Sequence, residues 1–172
     1  MADRPPPRIF SPARRRSAWS RALARQISPD AARFVEEAVV EDMIERLQFT
    51  RLAPESSLVI SELGHALSDH LEITGKVLRA DPSSFDEERP ADGGPFDFIA
   101  NLGTLATVND LPGALLHLRA ALAPDGLMMV SLVGAGSLTH LRGAMIAAEP
   151  DRAAPRMHPA IDTRSATALL ER

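Results

Sequence analysis

Between residues 96 and 142, apolar runs of strand length alternate with capped helical segments, and few folds accommodate that order. Phe96-Asp97-Phe98-Ile99 opens a run to Leu102 that reads as a buried strand. Asn109 or Asp110 then supplies an N-cap, with Pro112 in the first turn, where its missing N–H costs nothing. Leu111, Leu115, Leu118 and Leu122 line one side of the helix beyond it. Pro124-Asp125-Gly126 is a reversing turn. It launches Leu127-Met128-Met129-Val130-Ser131-Leu132-Val133, an apolar strand of the kind buried on both faces. Ser137 to Ala148 reads as another helix. Strands and helices in alternation imply parallel pairing through right-handed crossovers, hence an α/β sheet flanked by helices.

The residues upstream fit the same plan. Ser28-Pro29 is a helix-start signal, and from there to Gln48 apolar Val35, Val39, Met43 and Leu47 recur every four residues. Val40 and Ile44 widen that stripe, while Glu36, Glu37, Glu41 and Glu45 take the other side. Leu58-Val59-Ile60-Ser61 predicts a first buried strand, Leu63 to Leu71 a short helix broken by Gly75, and Lys76 to Ala80 a second strand stopped by Asp81-Pro82. Residues 82–95, rich in Pro, Gly, Ser and acid, predict a surface loop. Arg164 begins a last helix. No internal repeat is visible.

Composition narrows the function classes. A chain of 172 residues with 45% hydrophobic and 24% charged side chains folds as a globular domain with a real core. With no cysteine, disulfides, thiol nucleophiles and Cys-ligated metal sites are excluded. No apolar run approaches the roughly 20 residues of a membrane-spanning helix. The net charge of −4 is uneven: the seven arginines and Asp3 of residues 1–28 make that segment strongly basic and leave the rest acidic. Such an arm suits an acidic protein, nucleic acid or a membrane surface, and has the Arg-rich, acid-poor look of an organelle transit peptide. The favoured reading is a solvated extension with its arginines along a short helix from about Ala13 to Ala24, since Pro5-Pro6-Pro7 and Pro12 oppose a long one. Nucleic acid is therefore disfavoured as a partner. An apolar secretory core and cleavage site are lacking, which points to the bacterial cytoplasm, or to the mitochondrion in a eukaryote. The domain plan is a basic extension over 1–28 and an α/β domain over 29–172.

In open α/β sheets ligands bind beyond the carboxyl ends of the strands, where helix N-termini and free backbone N–H groups point. Glu62 to Ser68, Asp81 to Ser84, Asn101 to Thr104 and Gly134 to Ser137 lie at such places. Gly134-Ala135-Gly136 invites a dinucleotide-binding reading, but Thr139 holds the third glycine position and a Pro-rich loop stands where a strand and its acid belong. The five histidines are scattered: no His-x-x-x-His or His–carboxylate pair has metal-ligand spacing, so no metal site is expected. His117 falls on a helix flank, and His158 sits in a loop before Pro159. No Gly-x-Ser-x-Gly elbow or phosphate loop occurs.

Several segments together resemble one subgroup of the class I S-adenosylmethionine-dependent methyltransferase-like family. They are Pro7-Arg8-Ile9-Phe10 with Arg14-Arg15-Arg16, the Val35–Leu47 helix, Phe96-Asp97-Phe98-Ile99, Val108-Asn109-Asp110-Leu111-Pro112-Gly113-Ala114-Leu115, Arg119, Leu122-Ala123-Pro124-Asp125-Gly126, Gly136-Ser137-Leu138-Thr139-His140-Leu141-Arg142 and Arg156-Met157-His158-Pro159. That subgroup includes the mitochondrial complex I assembly factor of methyltransferase fold and its alphaproteobacterial relatives; the malonyl-acyl-carrier-protein methyltransferase is more distant. The resemblance implies a Rossmann-like parallel sheet flanked by helices, S-adenosylmethionine as cofactor, and contacts to it from Glu62, Gly64, Asp81 and the Asn101 region. The family's acid, hydrophobe and Gly-x-Gly-x-Gly loop survives here as Glu62-Leu63-Gly64-His65-Ala66-Leu67-Ser68, with one glycine of three. Asp81 fits either of two family positions, because few residues separate it from Phe96. Thr107 stands where the family has an aromatic residue. Relatives continue past Leu169-Leu170-Glu171-Arg172 with two further strands, so the chain is expected to be a fragment or a short form with Leu127–Val133 near an edge, and a protein partner is expected to cover that edge.

The resemblance implies methyl transfer from S-adenosylmethionine to a small-molecule or protein substrate, with catalysis chiefly by positioning. No residue stands out as a general base. The alternative is a catalytically inactive assembly or scaffold protein of the same fold. The mitochondrial relative is implicated in arginine hydroxylation, so reaction class does not follow from fold.

Overall fold

A computed structural model of the chain describes residues 8–149 and 158–171. Two compact units emerge, Met1–Leu132 and Val133–Arg172. Pro5-Pro6-Pro7, Arg156 and Met157, which entered the sequence argument, lie outside the described residues.

The first unit is built on four parallel strands: β1 (Ser56–Ile60), β2 (Lys76–Ala80), β3 (Phe96–Leu102) and β4 (Leu122–Ser131), in the order β2-β1-β3-β4. Helices α1 (Pro12–Gln26), α2 (Phe34–Thr50), α3 (Ala66–Glu72) and α4 (Leu111–Ala120) flank it, with a 3-10 turn over Thr104–Thr107. This is the parallel α/β sheet that the segment order predicts and the Rossmann-like arrangement that the resemblance implies. β2 and β3 have the residue bounds read from the sequence. Asp110 is the cap of α4, accepting from the Gly113 N–H at 3.0 Å.

Burial follows the strand period of two. Val59, Phe98 and Ala100 join one apolar cluster with Val40, Met43 and Leu47 of α2 and Leu67 and Leu71 of α3. Leu58, Ile60 and Ile99 are fully buried too, as strands covered on both sides require. Each such side chain contributes about 1.5–3 kcal/mol. Asp97 fixes the start of the ladder by accepting from the Glu55 and Ser56 N–H groups, both at 3.0 Å.

Four expectations need correction. Ser28-Pro29 does not start α2: Ser28 sits in a turn, its N–H donating to Arg25 O and its carbonyl accepting from Ala31, and α2 begins at Phe34. Val35, placed in the buried stripe, is 63% exposed, because the first turn of α2 overhangs the sheet cluster that Val40, Met43 and Leu47 reach. Pro124-Asp125-Gly126 does not precede β4 but lies inside it. Phe96 pairs with Leu122 and Phe98 with Leu127, so the extra residues form an irregularity with Asp125 at φ 62°. β4 is an edge strand, as the resemblance led one to expect, but its residues are at best partly buried, so the expected covering on both faces is not found within this unit.

The basic arm departs most from the sequence picture of a solvated extension. Arg15 of α1 donates from Nη2 to Glu87 Oε2 at 2.9 Å and from Nε to Thr107 Oγ1 at 3.1 Å. Glu87, in the loop expected to lie at the surface, is 1% exposed. A buried carboxylate needs a partner, and the arm supplies it. Asn109 adds a second anchor, its Oδ1 accepting from the Ile9 and Phe10 N–H groups at 2.7 and 2.8 Å.

The second unit contains α5 (Thr139–Ala148) and α6 (Thr163–Leu170). Ser137 closes a turn with Gly134, its N–H donating to the carbonyl at 2.9 Å, and α5 starts two residues beyond the predicted Ser137. Asp162 caps α6 by accepting from the Ser165 N–H at 3.0 Å. Ala135 N–H donates to Ile161 O at 2.8 Å and joins the two halves of this unit. Among the described residues no helix is long and apolar enough to cross a membrane.

Candidate functional site

The strand order places a switch between β1 and β3: the chain steps from β1 to β2 on one side, then returns to β3 on the other. Crevices beyond the carboxyl ends of strands at such a point are where α/β sheets bind ligands. A cavity of about 210 Å³ lies at this end of the sheet, lined by residues that include Glu62, Gly64, His65, Arg79 and Asp81. Three of the four residues named from the sequence, Glu62, Gly64 and Asp81, therefore share one wall.

The turn leaving β1 is tight. Ser61 adopts φ 67° and donates its N–H to Ala80 O at 2.8 Å, which ties the ends of β1 and β2 together. A left-handed residue with a side chain costs about 1–2 kcal/mol. Two carboxylates hold the backbone just beyond Ser61. Glu36 of α2 reaches across to accept from Leu63 N–H at 3.0 Å and Gly64 N–H at 2.7 Å. Glu62 accepts from Leu67 N–H at 2.7 Å, Ser68 N–H at 3.3 Å and Ser68 Oγ at 2.5 Å. Each acid satisfies backbone donors that an incoming anion would otherwise claim. A carboxylate offers about four lone-pair sites, so Glu62 keeps capacity for one further donor.

Gly64 does not have a left-handed φ, and a Cβ there would meet only Glu36 Oε1, at 3.5 Å. The Glu36 clamp therefore does not depend on glycine at this position. His65 is exposed at the cavity rim, and Leu67 is fully buried in the core cluster, so neither fills the pocket.

Asp81 ends β2 and begins a turn. Its Oδ1 accepts from Ser83 N–H at 2.7 Å and from the Ser83 hydroxyl. Burial opposes its ionisation, but the hydrogen bonds from Ser83, with contributions from the Trp19 indole and Ser84 N–H, outweigh burial and hold the carboxyl below its ordinary range. Asp81 is thus an acceptor kept charged. Arg79, also in the lining, donates from Nη2 to Asp69 Oδ1 and Glu72 Oε1, both at 3.1 Å.

Asn101 stands apart. It is fully buried, donates from Nδ2 to Thr104 Oγ1 at 2.9 Å and accepts from Leu105 N–H at 3.3 Å, so its side chain shapes the bend after β3 and does not line the cavity. Among the described residues no cluster of three His, Cys, Asp or Glu side chains is placed to hold a metal.

Sequence reasoning missed Glu36 and Trp19. Glu36 reads as one of four acids on the outer side of α2; only its position in the helix's first turn, beside the β1 turn, marks it. Trp19 lies on α1 and lines the cavity with Leu23; as the chain's one tryptophan in an arm read as solvated, it carried a signal that charge obscured.

Comparison with known proteins agrees with this geometry. A family described as "Methyltransferase domain" matches residues 38–166. The chain is 29% identical over 128 residues to a Danio rerio protein named "Arginine-hydroxylase NDUFAF5, mitochondrial", an alignment covering 73% of this chain and 36% of that protein. The chain thus spans little more than a third of that relative's length. Among solved structures it resembles the N-methyltransferase NodS from Bradyrhizobium japonicum WM9, crystallised with S-adenosyl-L-homocysteine. The TM-score is 0.52 and the identity 18%, over 66% of this chain and 70% of that one. Likeness at that identity is one of fold.

Proposed function

The chain belongs to the methyltransferase-domain family, and from that premise we propose that its cavity takes an unphosphorylated adenosyl ligand carrying positive charge, S-adenosylmethionine, for methyl transfer to a small-molecule or protein substrate. One observation carries the reading. The backbone N–H groups of the turn after β1 and of the start of α3 are taken by Glu36 and Glu62. An anionic phosphate would find those amides already taken and the Glu62 and Asp81 carboxylates in the cavity lining, with Arg79 engaged by Asp69 and Glu72, whereas an ammonium or sulfonium group is attracted to the acids.

The donor set fits such a cofactor. Asp81, held ionised, accepts from ribose hydroxyls; Glu62, with its remaining lone pair, accepts from an amino group; Val59, Leu63 and Ala80 supply an apolar lining. Bound there, S-adenosylmethionine supplies an electrophilic methyl group. The residues of this chain would orient it and keep its charge compensated, and positioning of that kind is worth several kcal/mol of barrier. Cytoplasmic residence in a bacterium or mitochondrial residence in a eukaryote, and a protein partner along β4, belong to this proposal.

A second reading has its own support. The cavity, about 210 Å³, falls below the roughly 300–1,000 Å³ of ordinary ligand pockets, and Glu62 is largely committed to capping α3. A catalytically inactive assembly or scaffold protein would show both features. The named activity of the Danio rerio relative, arginine hydroxylation, is a reminder that this fold carries more than one chemistry.

Isothermal titration with S-adenosylmethionine, S-adenosylhomocysteine and ATP decides between them. Binding of the first two that weakens in Asp81→Asn, with no heat from ATP, supports the transferase reading. No heat from either adenosyl compound at millimolar concentration removes it and leaves the scaffold.

A further inference from the structure

The family match begins at residue 38, yet the pocket is lined from earlier in the chain. Trp19 and Leu23 of α1 border the cavity together with Val59, Leu63 and Ala80. Four residues apart, they lie on one face of the helix. That face is held toward the sheet by the buried Arg15–Glu87 pair and by Asn109, which clasps Ile9 and Phe10. The wall is anchored independently of any ligand.

Trp19 has a defined attitude. Its indole N–H is buried, makes no hydrogen bond of ordinary length, and lies near enough to the Asp81 carboxylate to favour its charge. With that edge turned to Asp81 and shielded, the rest of the side chain borders the cavity. The pocket is then two-sided: an aromatic and aliphatic wall from α1 faces the acids at the ends of β1 and β2. A nucleoside has matching halves, a flat base and a hydroxylated sugar.

We propose that α1 is an integral wall of the nucleoside site, its Trp19 ring packing against the purine whose ribose Asp81 engages. This rests on the adenosyl reading above and adds to it a residue outside the family match. Removing an aromatic platform from a bound base costs about tenfold in affinity.

Because Trp19 is the chain's single tryptophan, its emission reports this contact without any substitution. The full chain is titrated with S-adenosylhomocysteine, following emission and heat in parallel, and calorimetry is repeated on Trp19→Phe and Trp19→Leu. The expected result is a saturable change in emission that tracks the heat, most of the affinity retained in Trp19→Phe, and a loss of about tenfold in Trp19→Leu, which keeps an apolar side chain against the pocket but has no ring. Heat with unchanged emission, or undiminished affinity in Trp19→Leu, overturns the proposal and leaves the adenosyl reading standing. No heat from the unaltered chain overturns both.

Discussion

Glu36 and Gly64 meet across 28 residues of chain: the Glu36 Oε1 accepts from the Gly64 N–H at 2.7 Å while its Oε2 accepts from Leu63. A surface-looking acid of α2 is therefore the part that shapes the turn at the pocket. Hydrogen bonds to a charged group contribute more than neutral ones, and partly buried donors left unpaired are costly. Glu36→Ala is expected to destabilise the fold by about 2 kcal/mol in urea unfolding, and Glu36→Gln, which keeps one acceptor, by less.

The Arg15–Glu87 pair offers a contrast with an exposed one. Their side chains are 11% and 1% exposed, against 64% and 59% for Arg46 and Asp42. Removing one partner of a buried pair leaves an uncompensated charge, worth about 3–5 kcal/mol. Arg15→Ala should therefore cost several kcal/mol in chemical denaturation and raise hydrogen exchange throughout α1, whereas Arg46→Ala should leave the midpoint unchanged. Equal effects would mean that α1 is not docked through Arg15.

Asp81 predicts a pH dependence. Its carboxyl titrates below the ordinary 3.8 in the folded chain, so the unfolded state binds its proton more readily. Its contribution to stability is then complete above the ordinary value and disappears as pH falls through the folded one. Thermal melts of Asp81→Asn should lie below those of the unaltered chain by a constant margin at neutral pH. That margin should shrink below about pH 5. A margin that grows toward acid would reverse the sign.

Two glycines differ in how much room surrounds them. A Cβ on Gly75 would collide with the Glu55 carbonyl carbon and oxygen, where β1 and β2 begin side by side. Gly75→Ala is expected to cost about 1–3 kcal/mol, as overpacking does. Gly64→Ala, facing ordinary contact with Glu36 Oε1 at 3.5 Å, should stay within about 0.5 kcal/mol by thermal melting.

Much of the sheet was legible because its boundaries are chemical stops. Asp81-Pro82 ends β2, a Gly-Pro pair precedes β3, and Asp110 with Pro112 starts α4; each acts locally, so local reading suffices. The failures turn on what neighbouring elements do with a segment, which its own chemistry does not state. Ser28-Pro29 has the chemistry of a helix start, yet α1 ends beside it and uses it as a turn. Pro124-Asp125-Gly126 has the chemistry of a turn, yet pairing with Phe96 draws Leu122 into β4 ahead of it. At the site, Glu62 and Asp81 announce themselves by standing at strand ends. Glu36, Trp19 and Glu87 reveal their contacts only once α1 and α2 are folded against the loops, and the Asn101 side chain hydrogen-bonds within the bend after β3.

The acid clamp at the turn also sets what the pocket turns away. Most adenine compounds a protein encounters are nucleotides; bound as proposed, with the ribose at Asp81, each would bring its phosphates to the turn whose amides Glu36 and Glu62 already hold. A dinucleotide-binding protein leaves its amides bare at that corner and welcomes such molecules. Here Glu36 and Glu62 already occupy those amides, so on the proposed reading abundant nucleotides are expected not to compete for the pocket.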